Sequence, residues 1–197
     1  YIHDIEPSYT LGDIARQRMK TINQLKEEGI FDMNRQLPLP PVPQKIAVIS
    51  SRTAAGYKDF LEHLNNNPYS YTFYSTLFNA YMQGDEAEES IIRALEKIYR
   101  HEAFFDAVAI IRGGGAQADL NCFDRYNLAA NIAQYPLPVI TGIGHEKDES
   151  VADMVAHTKM KTPTAVADFF VTKAYDYEEQ LLSLRDDIVE QTSQFIK

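Results

Sequence analysis

Short apolar runs and longer periodic segments alternate along the middle of the chain. Runs of about four to eight mostly apolar residues are typical of buried strands, whereas apolar residues that recur every three or four positions indicate helices with one buried face. The predicted strands are Lys45–Ser50, Tyr71–Leu77, Ala107–Ile111 and Val139–Thr141. The predicted helices between them are Ala54–Asn65, Asp85 to about His101, and Leu120–Gln134. This alternation predicts an α/β fold, an open and mostly parallel Rossmann-like sheet with flanking helices.

A helix and a proline-rich segment precede this alternation. Apolar residues from Leu11 to Leu25 follow one helical face, and Gly29 is a typical helix stop. The stretch 37–43 contains four prolines and cannot form helix or interior strand, because proline lacks a backbone donor and fixes φ. We therefore expect residues 1–43 to form a helix and a stiff connector, followed by the α/β domain at residues 44–172.

The last part of the chain is predicted to be helical. A short helix is expected over Glu149–Ala156, and Thr162 followed by Pro163 is a typical helix start, with a hydroxyl cap and proline at the first helical position. Farther on, apolar residues follow the a and d positions of a heptad, with Gln191 as a polar gap. These positions are Tyr177, Leu181, Leu184, Ile188 and Phe195. We expect residues 173–197 to be the start of a long coiled-coil helix.

Composition and charge narrow the functional classes. The chain has 197 residues, 45% of them hydrophobic, and no apolar run long enough to cross a bilayer, so no membrane partner is expected. A single cysteine, Cys122, excludes internal disulfides and cysteine-rich metal sites and fits a reducing, cytoplasmic location. The net charge of -9 argues against a nucleic-acid binder, since these usually carry a basic face. Positive residues nevertheless cluster near the glycine-rich strand ends: Arg52, Arg112, Lys147, Lys159 and Lys161.

Two of the predicted strands end in glycine and polar residues. The third strand is followed by Arg112 and by Gly113, Gly114 and Gly115, and the fourth ends near Gly142 and Gly144. Ligands of open parallel sheets bind outside the carboxyl ends of the strands, and glycine turns let backbone N–H groups approach an anion closely. An arginine beside such a turn can bind phosphate in a bidentate manner. The alternatives without a binding function are a tight turn that holds no ligand and an arginine that pairs with a surface carboxylate.

His145 and Asp148 follow the fourth strand. A histidine titrates near neutral pH and can transfer a proton in a displacement at phosphorus, and Asp148 could orient the imidazole, hold a water molecule or cap the next helix. The first strand ends at Ser50, Ser51, Arg52 and Thr53, where a helix N-terminus can receive an anion. No spacing typical of a metal site occurs, so no metal ligands are assigned. Taken alone, Asp59 is an ordinary surface acid.

Several of these segments resemble the large subunit of exonuclease VII. The segments that carry the resemblance are Ile110 to Gly115, Asp119-Leu120, Pro138 to Asp148, Ala47 to Ser51, Thr53 to Gly56, Ala152-Asp153, Thr162 to Ala165 and Tyr9 to Gly12. They occur in consistent order and cover nearly the entire chain. One departure is Arg52, where the family often has proline after the paired serines; it adds a positive charge where phosphate would lie.

The resemblance implies an exodeoxyribonuclease that hydrolyses single-stranded DNA from either end and releases oligonucleotides. It implies Asp59, Arg112, His145 and Asp148 as the catalytic set. The phosphate- or DNA-binding residues that we predict beside them are Ser50, Ser51, Arg52, Thr53, Gly113, Gly114, Gly115, Gly142, Gly144 and Thr162. No cofactor would be strictly required, and assistance by Mg²⁺ is left open.

The resemblance also implies partners and further segments. An OB-fold that grips single strands is expected before Tyr1, and most of a helical arm that recruits small subunits is expected after Lys197. A homodimer through the exposed helix is the alternative use of its apolar positions. Two other functions compete with the nuclease: a non-catalytic module that binds phosphate, and an α/β enzyme that acts on a small phosphorylated metabolite.

Overall fold

The computed structural model describes residues 11–113, 117–144 and 149–195. Its helices and strands alternate as the sequence predicts. In chain order they are α1 (Leu11–Glu27), β1 (Lys45–Ser50), α2 (Ala55–Asn65), β2 (Tyr74–Asn79), α3 (Ala87–Tyr99), β3 (Ala107–Ile111), α4 (Tyr126–Ala133), β4 (Val139–Gly142), α5 (Val151–Val155), β5 (Thr158–Lys159) and α6 (Pro163–Phe195). None of the helices in these ranges is both long enough and apolar enough to span a membrane.

The strands of the described chain form one parallel sheet in the order β2-β1-β3-β4-β5. This confirms the predicted α/β class. Ser50 pairs with Asn79, and Ile111 pairs with Gly142, so β1 and β2 end together, as do β3 and β4. The chain moves from β1 outward to β2, and then returns past β1 to β3. The carboxyl ends of β1 and β3 therefore flank a topological switch point, where sheets of this kind bind ligands.

Alternate residues of the central strands feed two apolar layers. Ala47, Ile49, Val108 and Ile110 face the layer that includes buried residues of α1, α3, α4 and α5. Ile46, Val48, Ala109 and Ile111 face the layer that includes buried residues of α2 and α6. Burial on both faces explains why these strands are continuous apolar runs rather than alternating ones.

Helix α6 changes its environment along its length. Val166, Phe170 and Ala174 are buried against the sheet and α2, whereas Leu184 and Ile188 are 58% and 64% exposed. The helix is continuous across residues 172 and 173, where we placed the boundary between domain and arm. Of the predicted heptad positions, Tyr177 and Leu181 are exposed as well. The apolar stripe therefore faces solvent in this chain, and coiled-coil pairing stays a prediction.

Several predicted boundaries were wrong. The helix predicted over Leu120–Gln134 is a 3-10 helix over Gln117–Asp124 followed by α4. The break lies at Arg125, whose backbone is extended, next to Asp124, whose carboxylate accepts the Val151 N–H at 2.8 Å. The apolar pattern continues through this break because both segments pack on the same layer.

The second strand begins later than predicted, at Tyr74 rather than Tyr71. The side chain of Asn67 accepts the N–H of Tyr71 at 3.0 Å and donates to the Leu64 and Tyr71 carbonyls at 2.9 and 2.8 Å. These bonds hold residues 67–71 in a turn that includes the positive φ of Ser70. The two-residue strand β5 was not predicted, because two residues carry no periodic signal.

Candidate functional site

The N-terminus of α2 lies against the turn that follows β3. A Cβ atom placed on Gly56 would lie 2.8 Å from the Cα of Gly113 and 2.8 Å from Cγ of Pro163. No real side chain tolerates the first of these contacts, because the neighbour is backbone and cannot rotate away. Glycine at position 56 therefore allows three segments, the start of α2, the end of β3 and the start of α6, to meet at the carboxyl edge of the sheet.

Gly142 has a similar packing role at the end of β4. A Cβ atom there would lie 2.6 Å from Cγ2 of Val166 and 3.1 Å from the carbonyl oxygen of Thr162. The Gly142 carbonyl also accepts the N–H of Arg112 at 3.1 Å. The start of α6 is thereby seated on β4 beside Arg112. Thr162 caps that helix, since its hydroxyl accepts the Ala165 N–H at 3.1 Å. Contacts of Gly142, Gly144 and Thr162 with DNA stay predictions.

The turn between β1 and α2 has a fixed backbone and polar residues on its surface. The Ser51 carbonyl accepts the Ala54 N–H at 3.0 Å, and the Arg52 N–H donates to Oδ1 of Asn79 at 2.9 Å. Arg52 and Thr53 are exposed. The residue before α2 is Ala54, whose side chain cannot cap the helix, so the first-turn N–H groups point out of the helix without a side-chain cap. This arrangement suits an anion.

Ser50 differs from its neighbours in this turn. Its side chain is fully buried, and its hydroxyl donates to the Ile111 carbonyl at 2.9 Å. The residue therefore joins β1 to β3 at the point where both strands end. The Ser50 hydroxyl is thus engaged within the fold, and a contact of Ser50 with phosphate, like those of Ser51, Arg52 and Thr53, stays a prediction.

Arg112 is only 6% exposed, immediately after β3. Burial raises the pKa of the Cys122 thiol to about 11, and the positive charge of Arg112 opposes part of that rise, so the guanidinium lies near Cys122. A charge this close to the protein interior is screened less by salt than a surface charge. The carboxyl end of β3 thus carries a positive charge held by the fold, next to the Gly113 backbone. Cys122 stays a thiol at neutral pH and is not a nucleophile.

Asp59 lies on α2 between two contacts with α6. Gly56 approaches Pro163 at the start of both helices, and Nε2 of His63 lies 2.8 Å from Oδ1 of Asp168 farther along. His63 is four residues after Asp59, so both project from the same side of α2. Asp59 is exposed, one turn from the convergence of α2, β3 and α6. This position is compatible with the catalytic role implied for it.

The other two predicted catalytic residues, His145 and Asp148, lie outside the described residues, as do Gly114 and Gly115. The structure gives no position for them. Helix α5, which follows this segment, is firmly anchored. Ser150 and Asp153 form a reciprocal cap at its start, and the Thr141 hydroxyl donates to Oδ1 of Asp153 at 2.6 Å, tying α5 to β4.

Two supporting residues were missed by the sequence reasoning. Asn79 holds the backbone of the turn at Arg52, and an Asn at a strand end was a signal that could have been weighed. Asp124 binds the first N–H of α5, and burial raises the pKa of its carboxyl, with the Val151 N–H and Arg18 opposing the rise. Nothing in the local sequence distinguishes Asp124 from a surface acid, because its burial depends on distant segments. No cluster of three metal-ligating side chains occurs within residues 11–113, 117–144 and 149–195.

Comparison with known proteins identifies relatives. A family profile described as "Exonuclease VII, large subunit" matches residues 30–197. A protein named exodeoxyribonuclease 7 large subunit from a Cyanothece species is 41% identical over 161 residues, which cover 81% of this chain and 37% of that protein. The protein of the same name from Campylobacter lari is 35% identical over 172 residues, covering 87% of this chain and 44% of the relative.

A third relative of that name, from a Nostoc species, is 38% identical over 159 residues and is covered to 38% of its length. The chain thus spans less than half the length of the curated relatives it matches. The matched region includes the turn after β1, Arg112 with the glycines that follow β3, and the segment after β4. The chain belongs to the exonuclease VII large-subunit family.

Proposed function

We propose that this chain carries the catalytic α/β domain of an exodeoxyribonuclease that hydrolyses phosphodiester bonds of single-stranded DNA from either end and releases oligonucleotides. The observation that carries the proposal is the meeting of Gly113, the uncapped start of α2 and the mostly buried Arg112 at the topological switch point. Each of these features favours the binding of a phosphate group. Because the chain belongs to the exonuclease VII large-subunit family, we infer that this phosphate is part of a DNA strand.

The chemistry divides among the predicted residues. Water attacks phosphorus, the bond from phosphorus to the leaving nucleotide oxygen breaks, and that oxygen takes up a proton. Arg112 and the backbone at Gly113 stabilise the negative charge that develops on the phosphoryl oxygens. His145 transfers the proton as general acid or base, and Asp148 orients the imidazole or the water. Asp59 completes the site from α2.

The proposal requires no resident cofactor, and it leaves Mg²⁺ assistance to experiment. Arginine and histidine can supply charge stabilisation and proton transfer, the two contributions that a metal ion would otherwise make.

The exposed half of α6 supplies the partner surface in this proposal. Leu181, Leu184 and Ile188 are at least half exposed, which suits a helix that pairs with small subunits or with a second copy of the chain in a homodimer. The location that fits a DNA-degrading enzyme whose single cysteine is buried is the cytoplasm.

The decisive experiment compares labelled single-stranded and double-stranded DNA as substrates of the assembled enzyme, meaning the complete large subunit with its small subunits. Reactions run in Mg²⁺ and in EDTA, with His145→Ala as the variant and Tyr99→Ala, far from the site, as the matched control. We expect cleavage of single strands that His145→Ala abolishes and Tyr99→Ala preserves. A folded assembly that cleaves neither substrate would contradict the nuclease and favour a phosphate-binding module or a small-molecule enzyme.

A further inference from the structure

An exposed tyrosine stands beside the proposed phosphate site. Tyr81 is 60% exposed although its neighbours Ala80 and Met82 are 2% and 6% exposed. The ring makes no stacked or edge contact with another aromatic ring of the described chain, unlike the Tyr69 and Tyr175 rings, which stack at 4.7 Å. A large aromatic ring that projects into solvent from between two buried residues contributes little to the core.

The backbone on both sides of this ring is fixed. The Ala80 N–H donates to the Ser50 carbonyl at 3.0 Å, and the Tyr81 N–H donates to the Ser90 hydroxyl at 3.0 Å. The two bonds tie the end of β2 to β1 and to α3. The ring is therefore presented from a rigid support, which limits the conformational entropy lost when a flat partner stacks on it.

Arg52 lies on the adjacent strand end at the corresponding position. Ser50 pairs with Asn79, so Arg52 and Tyr81 each follow a paired residue by two positions, and the Asn79 side chain holds the Arg52 N–H. Adjacent strands are about 4.8 Å apart, so an arginine side chain and a tyrosine ring here can reach one nucleotide together. Arg52 is exposed; burial raises the pKa of Tyr57 in the first turn of α2 and the positive charge of Arg52 opposes that rise, so Arg52 lies near the start of α2.

Acidic residues follow Tyr81 along the chain and would orient a bound DNA strand. Asp85 and Glu86 are exposed there, and Arg125 contacts Glu88 at 3.0 Å and Asp85 at 3.9 Å. Arg125 offsets part of this negative charge, and the remainder repels phosphate. A nucleotide would place its phosphate toward Arg52 and its base on the Tyr81 ring.

We propose that Tyr81 is a stacking platform for a nucleobase of single-stranded DNA whose phosphate is bound by Arg52, an inference that rests on the proposed nuclease function. Every base has a flat face, so the contact grips the strand without selecting its sequence. It would hold the DNA at the mouth of the site, with β1 lying between Tyr81 at the end of β2 and the turn at Gly113 after β3.

The test uses the assembled enzyme and its variants Tyr81→Ala and Tyr81→Phe, with Tyr99→Ala as the control, since Tyr99 is similarly exposed at the opposite edge of the sheet. Substrates are a thymidine oligonucleotide and an abasic strand of the same length. We expect Tyr81→Ala to lower kcat/KM on the thymidine strand about 5- to 150-fold, the range that corresponds to the loss of one stacked base. The kcat/KM of Tyr81→Phe should stay within about twofold of that of the parent enzyme, because phenylalanine keeps the flat ring face. Tyr99→Ala should show the same small change, because Tyr99 lies away from the site.

The abasic strand separates stacking from general damage. Tyr81→Ala should barely change the cleavage of the abasic strand, because this strand has no base that could stack on Tyr81. Equal losses on both strands, or no loss on either, would overturn the inference while leaving the nuclease intact. Affinities for the two strands measured by fluorescence anisotropy in a His145→Ala background report the same contact without turnover. Parent enzyme that fails to cleave would refute the proposed function, whereas affinity that depends on Tyr81 in that case would still support the platform.

Discussion

The two edges of the sheet are built differently. At the carboxyl edge, Gly56, Gly113 and Gly142 let neighbouring segments approach closely, and a Cβ atom at Gly56 or Gly142 would clash with them. At the amino edge, side chains bind backbone directly. Asp106 accepts the N–H groups of Gln44 and Lys45 at 2.9 and 2.8 Å. The first arrangement leaves no room for side chains at Gly56 and Gly142, whereas the second joins the starts of neighbouring strands through side-chain hydrogen bonds.

Asn34 is the strongest example of closure at the amino edge. The side chain is fully buried, donates to the Tyr135 and Leu137 carbonyls at 3.0 and 2.9 Å, and accepts the N–H groups of Val139 and His157 at 2.9 and 3.0 Å. One amide thus satisfies four backbone groups around β4. Stability and the proposed function are thus divided between opposite ends of the same strands, and variants at each end can test this division.

The largest expected effect is on activity at the carboxyl edge. Replacing Arg112 with Ala should lower kcat by about 10²–10³, because a preorganised charge that stabilises the transition state is lost. Arg112→Lys should recover only part of that loss, since an ammonium cannot bind phosphate in a bidentate manner. Steady-state cleavage of single-stranded DNA measures both, and thermal unfolding checks that the variants fold. Activity of Arg112→Ala within a few fold of the parent would remove Arg112 from the site.

The next effect is on stability at the amino edge. Asn34→Ala should lower the free energy of unfolding by about 3 kcal/mol, because buried backbone groups lose their partners and each such group costs about 1–3 kcal/mol. Activity per folded molecule should be nearly unchanged, as Asn34 lies at the end of the sheet opposite the site. Urea unfolding and cleavage assays well below the melting temperature separate the two quantities. A large drop in kcat without a loss of stability would contradict the assignment of Asn34 to stability rather than to function.

Gly56→Ala tests whether close packing at the carboxyl edge supports both stability and catalysis. The new Cβ would be forced against the Gly113 backbone, at a cost of about 1–3 kcal/mol from overpacking, only partly offset by the better helix propensity of alanine. Displacement of Gly113 should also lower kcat, because Arg112 is the preceding residue. Lys58→Ala, an exposed change on the same helix, is the control and should alter neither quantity.

The smallest effect concerns the amino-edge tyrosines, where α6 leaves the domain. Tyr71 donates a hydrogen bond to Glu178, and that bond raises the pKa of Tyr71 to about 12. A raised pKa means that the contribution to stability is full below the ordinary value near 10 and is lost as the pH rises through about 12. Tyr71→Phe should cost less than about 1 kcal/mol at pH 8, and its difference from the parent should shrink above pH 10. A pH series of urea unfolding curves checks this, and a difference that is constant up to pH 12 would contradict it.

Patterns that span several residues were read correctly from the sequence. The runs at Lys45–Ser50 and Ala107–Ile111 match β1 and β3 residue for residue, and Thr162 caps the helix that starts at Pro163. These features depend on local chemistry, such as two-sided burial of a strand or the geometry of a cap. The boundaries that were predicted wrongly, at Arg125 and Tyr71, depend on hydrogen bonds that a single side chain accepts from the backbone of a residue farther along the chain.

The candidate site divides in the same way. From the sequence it follows that glycine and polar residues end the apolar strands, which made Arg112, His145 and Asp148 candidates, and the resemblance to the family added Asp59. The tertiary structure was needed to show that the buried Ser50 side chain joins two strands and that packing requires glycine at positions 56 and 142. It was also needed to show that Tyr81 is exposed after the end of the strand that pairs with β1. Burial and proximity of distant residues are properties of strand order and register, and no local pattern of residues encodes them.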